Sequence, residues 1–291
     1  MNKIAVIGAG TMGNGIAHVF AQYGFPVYLV DLHAEQLEKA LLTISKNLDR
    51  QVQKGIISPD EKINAFNHIH PVHNIKEGVR GADLIIEAAT ENENIKLQIF
   101  RELDEFALPA AILASNTSSI SITRIAAVTK RPSQVIGMHF MNPVPLMKLV
   151  EVINGFSTAG FVTEKIVEIS KQLGKIPCIV NDYPGFISNR ILMPMINEAI
   201  ISLQEGVASA EAIDTVMKLG MAHPMGPLEL ADFIGLDICL AILKVLQEGF
   251  GNPKYAPATL LVNMVAAGNL GVKSGEGFYN YRGGTKEPRK V

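Results

Sequence analysis

The sequence has few cysteines, no excess of charge of either sign and no long apolar run, and each shortage argues against a class of protein. Its two cysteines, Cys178 and Cys239, stand far apart in apolar stretches, and neither belongs to a Cys-x-x-Cys pair. That spacing speaks against a disulfide scaffold and a cysteine-based zinc site; two reduced, buried thiols in a cytosolic protein are the expectation. Lys and Arg number 26 against 28 Asp and Glu, a formal net charge of −2. Such a balance creates no overall field for gripping nucleic acid. No apolar run approaches the ~20 residues that cross a bilayer, so no membrane span is expected. The first strand is predicted to begin at Lys3, which leaves no room for a secretory leader. What is abundant is apolar side chain, 48% of 291 residues, enough for a substantial core and for two modest domains.

Two periodicities alternate in the first half. Ile4 to Ile7, Val27 to Val30, Leu84 to Ile86, Ala111 to Ala114 and Val135 to Met138 are short runs apolar on both faces. Helical or loop segments separate them, including helical stretches from Thr11 to Tyr23 and from Ala34 to Lys54. Strands buried on both sides and alternating with helices predict an α/β fold with a doubly wound, mostly parallel Rossmann-type sheet. Two later strands, Leu149 to Ile153 and Ile176 to Val180, flank a helix from Thr163 to Leu173. The turn-rich Asn181-Asp182-Tyr183-Pro184-Gly185 then ends the strand character. Beyond it, Ile187, Ile191, Leu192, Met195, Ile196, Ala199, Ile200 and Leu203 fall at steps of three and four and read as one broad apolar helical face. Ser209 to Leu219, Leu228 to Glu248 and Pro257 to Gly268 read as further helices. The expected organisation is a nucleotide-binding domain over residues 1–183 and an all-helical domain over residues 184–291.

Gly8-Ala9-Gly10-Thr11-Met12-Gly13 is a G-x-G-x-x-G between a predicted strand and a predicted helix. Alone the pattern is weak, because glycines are common in turns. In this context Gly8 permits the tight turn, Gly10 lets the backbone approach a pyrophosphate, and Gly13 lets the helix pack on the sheet. Amides at the helix N-terminus then face the phosphate oxygens. Asp31 ends the next strand, where a carboxylate accepts ribose hydroxyls and repels a 2′-phosphate; Leu32 and His33 supply no Arg to receive one. The cofactor expected is NAD rather than NADP.

A nicotinamide enzyme acting on an alcohol needs a base for the hydroxyl proton, and histidine titrates in the right range. His18 lies within the first helix, where a packing role is the plainer reading. His68, His70 and His73 suggest a metal, but Pro71 interrupts them and no carboxylate is suitably placed, so no metal site is expected. His223 adjoins Pro224 in a turn. His139 ends an apolar strand at the carboxyl edge of the sheet, where ligands bind in this architecture. Glu151 follows beyond a loop containing Pro143 and Pro145, on what should be a neighbouring strand, where it could fix the imidazole tautomer. Taken singly, such a His is simply hydrogen-bonded and such a Glu solvated. Ser115-Asn116-Thr117-Ser118-Ser119 follows another strand at that edge; it reads either as a capping segment or as donors to a substrate oxygen. Asn189 opens the helical domain and is placed off the Ile187–Ile191 face, toward a cleft between the domains. Lys46, Arg50 and Lys54 recur every fourth residue, a basic stripe that is either a solvated helix face or an anion contact.

Together these residues resemble the short-chain L-3-hydroxyacyl-CoA dehydrogenases. The resemblance is carried along essentially the whole chain by VIGAGTMGNGIA, LIIEAATEN, ASNTSS, GMHFMNPV, KLVEVI, PGFISNR, HPMGPLELADFIGLD and KSGEGFYNY. It implies an enzyme that transfers hydride reversibly between NAD and C3 of an L-3-hydroxyacyl-CoA. It implies His139 as general base, Glu151 as its partner, and Ser118 and Asn189 as hydrogen-bonding groups at the reacting oxygen. Glu91, Lys96, Ser118, Asn142 and Lys273 match positions that touch NAD. The Gly271-Val272-Lys273-Ser274-Gly275 stretch lacks the glycine spacing of a phosphate loop, so ATP binding of that type is rejected. Coenzyme A is anionic, and the resemblance turns the basic stripe toward it, with Lys54 matching a phosphate contact and Asn47 standing where some relatives place Ser. A homodimer built on the helical domain is likewise implied. The competing readings are a dehydrogenase of a free hydroxy acid and a non-catalytic protein that keeps the fold.

Overall fold

Val, Ile and Leu in runs without a polar face form strands that water does not reach, and these make the centre of the first of two units in the chain. The computed structural model describes residues 3–283 and 286–289 and divides into Met1–Tyr183 and Pro184–Val291. In the first unit, β1 (Ile4–Ile7), β2 (Val27–Val30), β3 (Ile69–Val72), β4 (Leu84–Glu87), β5 (Ile112–Ser115), β6 (Val135–Phe140), β7 (Leu149–Asn154) and β8 (Ile176–Asn181) form one sheet in the order β3-β2-β1-β4-β5-β6-β7-β8. The first six strands in that order are parallel. β7 runs antiparallel to β6, and β8 follows β7 in parallel. The order reverses at β1, and in open α/β sheets ligands settle at the carboxyl edge beside such a switch point. The described sheet and helices are thus the doubly wound, mostly parallel architecture expected.

Helices α1 (Thr11–Gln22), α2 (Ala34–Gln53), α3 (Pro59–Asn67), α4 (Ile75–Val79), α5 (Glu93–Phe106), α6 (Ile122–Ala126) and α7 (Gly160–Gln172) connect the strands. Their starts are chemically marked. Ser58 caps α3 through the Glu61 amide while the Glu61 carboxylate takes the Ser58 amide, and Pro59 occupies the first turn. Asn92 caps α5 and Ser121 caps α6. Ile16, Phe20, Leu37, Ile44 and Leu48 bury their helix faces on the sheet residues Ile4, Val6, Leu29 and Ile86.

The second unit holds α8 (Ser188–Gln204), α9 (Ala210–Thr215), α10 (Pro227–Ile234), α11 (Leu236–Phe250) and α12 (Thr259–Ala266). Three sequence expectations are corrected. The helix read as Leu228 to Glu248 is two helices, broken at Gly235, whose φ of +106° no other residue adopts cheaply. On α8 the buried residues include Asn189, Met193, Ile196, Asn197 and Ile200, while Ile187 and Ile191 are exposed at 44% and 64%. Ile196, Ala199 and Ile200 of the expected face do enter the core, with Leu192 and Leu203 packed against it, and Asn197 joins them inside, donating to the Ala256 carbonyl and accepting from the Ala258 amide. An apolar pattern cannot register a satisfied asparagine. Cys178, expected buried, is exposed on β8, whereas Cys239 is buried and its thiol is pushed up to about 12 by burial; both are free. Among the described residues no helix is long and apolar enough to cross a membrane.

Candidate active site

The glycine-rich turn shows which of its glycines the fold itself demands. Gly8 has a φ of +99°, and a Cβ there would stand 2.8 Å from the Ala88 carbonyl oxygen. At Gly13 a Cβ would lie 1.7 Å from the Gly8 oxygen, so α1 packs on the turn only with glycine there. At Gly10 a Cβ would meet nothing within 4 Å. Packing therefore does not demand glycine at Gly10, where the backbone stands open to close approach. The Asp31 carboxylate accepts from the Ala9 amide at 2.8 Å and from the His33 amide at 3.0 Å. Gln36 donates to the Ala9 carbonyl. A cavity of about 1740 Å³ runs along Gly8, Gly10, Thr11, Met12 and Asp31 to Ala88, Ala89 and Thr90. These residues fit a dinucleotide: the first-turn amides of α1 at Thr11 and Met12, where no side chain caps the helix, an acid for ribose, and a glycine-lined approach.

A second pocket, about 240 Å³, is lined by Ala9, Thr11, Asn14, Lys39, Thr43, Asn47, Asn142 and the turn 143–145. Asn47 is thus placed in a recess. Lys46, Arg50 and Lys54 are exposed on α2 or at its end and line neither cavity. Lys175 pins the turn after Asn142, donating to the carbonyls of Val144 at 2.5 Å and Met147 at 2.7 Å. Burial lowers the pKa of that ammonium.

His139 and Glu151 are partners in strand register, directly opposite each other in the antiparallel β6–β7 pair. Glu151 is fully buried and His139 is 7% exposed. His139 Nδ1 lies 2.7 Å from Glu151 Oε2. Facing a carboxylate, Nδ1 is the protonated nitrogen, which leaves the Nε2 lone pair outward. The Ser118 hydroxyl stands 3.3 Å from that Nε2. Because β6 is parallel to β5, the end of β6 that carries His139 shares an edge with the loop 116–119.

That loop is gathered by one carboxylate. Glu91 Oε1 accepts from Thr117 Oγ1 at 2.6 Å, the Ser118 amide at 2.8 Å, the Ser119 amide at 3.2 Å and Ser119 Oγ at 3.1 Å. Burial would push Glu91 up. The Lys96 ammonium and the hydrogen bonds from Thr117, Ser118 and Ser119 outweigh it and hold Glu91 below the usual carboxylate range. Lys96, implied to touch NAD, is only 1% exposed; its ammonium sits on Glu87 at 2.7 and 3.0 Å and on Glu91 at 3.4 Å. Glu87 and Ser115 are both buried; Ser115 was read as the start of the polar segment 115–119, whereas Glu87 was given no role by the sequence reading. The available signal was an acid closing the apolar run Leu84-Ile85-Ile86.

In the second unit Asn189 is buried in the first turn of α8, its amide donating to the Gly185 carbonyl. Lys273 pairs with Asp237 at 2.6 Å. Among the described residues no three His, Cys, Asp or Glu side chains gather as metal ligands. His68 Nδ1 faces the Asn64 carbonyl, and His70 lies against the Tyr28 ring.

The family described as 3-hydroxyacyl-CoA dehydrogenase, NAD binding domain, matches residues 3–183, and its C-terminal domain matches residues 185–281. The chain is 53% identical over 290 residues to a 3-hydroxybutyryl-CoA dehydrogenase of Bradyrhizobium diazoefficiens, covering 100% of this chain and 99% of that one. It is 43% identical over 288 residues to the human mitochondrial hydroxyacyl-coenzyme A dehydrogenase, covering 97% and 92%. The solved (S)-3-hydroxybutyryl-CoA dehydrogenase of Ralstonia eutropha superposes with a TM-score of 0.94 at 48% identity, covering 97% and 99%.

Proposed function

This chain belongs to the 3-hydroxyacyl-CoA dehydrogenase family, and from that premise we propose that His139 is the general base of an enzyme interconverting a short-chain L-3-hydroxyacyl-CoA and its 3-keto thioester. It is an NAD-dependent oxidoreductase. The observation that carries the assignment of roles is the imidazole held at 2.7 Å by a buried acid with its other nitrogen 3.3 Å from Ser118. NAD, when bound, takes or supplies the hydride. Gly8, Ala9, Gly10, Thr11, Met12, Gly13 and Asp31 would hold it, with Asn142, Ser118 and the Glu91–Lys96 pair at the edge of that surface.

In the oxidising direction His139 Nε2 takes the proton of the C3 hydroxyl. The imidazolium that forms keeps its Nδ1–H on Glu151, whose charge stabilises it without itself taking the proton. Ser118 Oγ donates to the substrate oxygen and orients the carbinol toward Nε2. In reduction the same proton returns from His139 to the alkoxide. Asn189 is assigned to the same oxygen. Lys54 and Asn47 are assigned to the anionic half of coenzyme A, an assignment supported by the exposed cations of α2 and the recess at Asn47.

The protein is further inferred to work in the cytoplasm, as its free cysteines favour, and as a homodimer. Apolar side chains left outside on the second unit, Ile191 at 64%, Phe233 at 67% and Leu219 at 81% exposed, support self-association. The deciding assay compares NADH consumption with acetoacetyl-CoA and with free acetoacetate. Turnover confined to the thioester is expected; equal turnover of the free acid, or none of either, overturns the proposal. Sedimentation tests the dimer.

A further inference from the structure

Glu87 is a fully buried charged group at the carboxyl edge of the sheet and has no part in the chemistry assigned above. It closes β4, is 0% exposed, and accepts four hydrogen bonds. Lys96 supplies two of them, at 2.7 and 3.0 Å. Ser115 Oγ donates to Oε2 at 2.7 Å and the Ala89 amide to Oε1 at 2.8 Å. A buried ion pair is a poor way to gain stability, because both charges leave water. Its contacts bear on geometry instead: two lines of contact lead from it to the same loop.

The first line is direct. Ser115 ends β5 and begins the segment that carries Ser118, and its hydroxyl is tied to Glu87. The second runs through Lys96, which Glu87 holds where the ammonium also meets Glu91 at 3.4 Å. Glu91 in turn gathers Thr117, Ser118 and Ser119. Between the two, Asn116 Oδ1 accepts from the Phe140 amide, which joins the loop to the strand of His139.

We propose that Glu87 is a positioning residue for the reaction: through Ser115, and through Lys96 and Glu91, it sets the loop 115–119 so that Ser118 meets Nε2 of His139. This rests on the reading that Ser118 and His139 act on the substrate. It touches neither, so its loss acts through the loop's placement.

The experiment compares Glu87→Gln, Ser115→Ala and the charge-neutral pair Glu87→Gln with Lys96→Met, alongside His139→Gln, by steady-state turnover of acetoacetyl-CoA, NADH titration and thermal melting of the full chain. Glu87→Gln is expected to lower kcat roughly 10- to 100-fold, the scale of a small misplacement at a reacting atom, while KM for NADH moves less than about threefold. Ser115→Ala shows the same split at smaller size. The charge-neutral pair, which removes both members of the Glu87–Lys96 pair and leaves Glu91 on its hydrogen bonds from Thr117, Ser118 and Ser119, melts near the wild type yet keeps the kcat loss. A neutral pair or a Ser115→Ala protein with wild-type kcat overturns the proposal, as does a loss confined to KM. Should Glu87→Gln fail to fold, those other two variants decide. Full activity in His139→Gln would instead overturn the underlying assignment, and the two failures are thereby told apart.

Discussion

Replacing Glu151 by Gln changes one oxygen for an amide nitrogen, and the consequence can be worked from the geometry. The bond from His139 Nδ1 is 2.7 Å long and its acceptor is fully buried, so no water stands in for a lost charge. A hydrogen bond to a charged partner contributes about 1.5–3 kcal/mol. The charge matters most when the imidazole becomes a cation, which happens as the proton leaves the substrate. If the whole of that term falls on the transition state, turnover drops roughly 10- to 150-fold. A second effect adds to it. The glutamine amide can donate to Nδ1, which would leave the proton on Nε2, the nitrogen that must be bare. In a hydrolase triad the analogous acid-to-amide change costs about 10⁴-fold. The expected loss in kcat is therefore about 10²–10⁴-fold, with melting temperature and NADH affinity little changed, because Glu151 does not line the dinucleotide cavity. NADH consumption with saturating acetoacetyl-CoA measures it. A folded Glu151→Gln protein with kcat within about threefold of wild type would refute the reasoning, since an imidazole that needs no orienting acid is not the base described here.

Gly10→Ala and Gly13→Ala should fail in opposite ways. The first has open space for its methyl, so melting is unchanged while NADH affinity falls about tenfold or more; the second collides with the Gly8 carbonyl and lowers the melting temperature by several degrees. Lys54→Ala should raise KM for acetoacetyl-CoA several-fold and leave KM for acetoacetyl-pantetheine unaltered; a parallel rise with both thioesters would remove Lys54 from the nucleotide half of coenzyme A. His18 supplies a pH dependence. Burial, opposed by the Gln22 hydrogen bond and aided by Lys175, lowers it from 6.5 to about 4, so the folded state binds its proton later than the unfolded chain. Stability is therefore lost as pH falls from about 6.5 toward 4, by roughly 2 kcal/mol at pH 5. Urea unfolding at pH 7 and pH 5 should show that slope, and His18→Gln should flatten it; an unchanged slope removes His18 as its source.

Several features were legible before any tertiary contact was known, and they share a cause: each is enforced within a few residues of chain. Gly8 and Gly13 are required by sterics of the turn itself. The strands around Ile4, Val27 and Leu84 follow from apolar runs too short to be helices and too uniform to face water. Asp31 and His139 were placed by ending such runs at the edge where ligands bind. The helical second unit followed from three- and four-residue steps: Ile196, Ala199 and Ile200 of the expected face are in its core, while Ile187 and Ile191 lie outside and Asn197, satisfied at both ends of its amide, lies inside.

The sequence by itself determined the alternation of buried strands with helices, the helical character of the second unit, where the glycine-rich turn lies and which imidazole was worth examining. Only the tertiary structure decided that Glu151 faces His139, because that depends on β7 returning antiparallel in one register, and a shift by one residue would turn the carboxylate to the other face. Only the structure joined Glu87, Lys96, Glu91 and the loop of Ser118. Their spacing along the chain carries no periodic signal, since the contacts cross from one strand to the next and to a helix. Local sterics and hydropathy act over a turn or two; the direction of a buried charge is fixed by whatever the fold brings beside it.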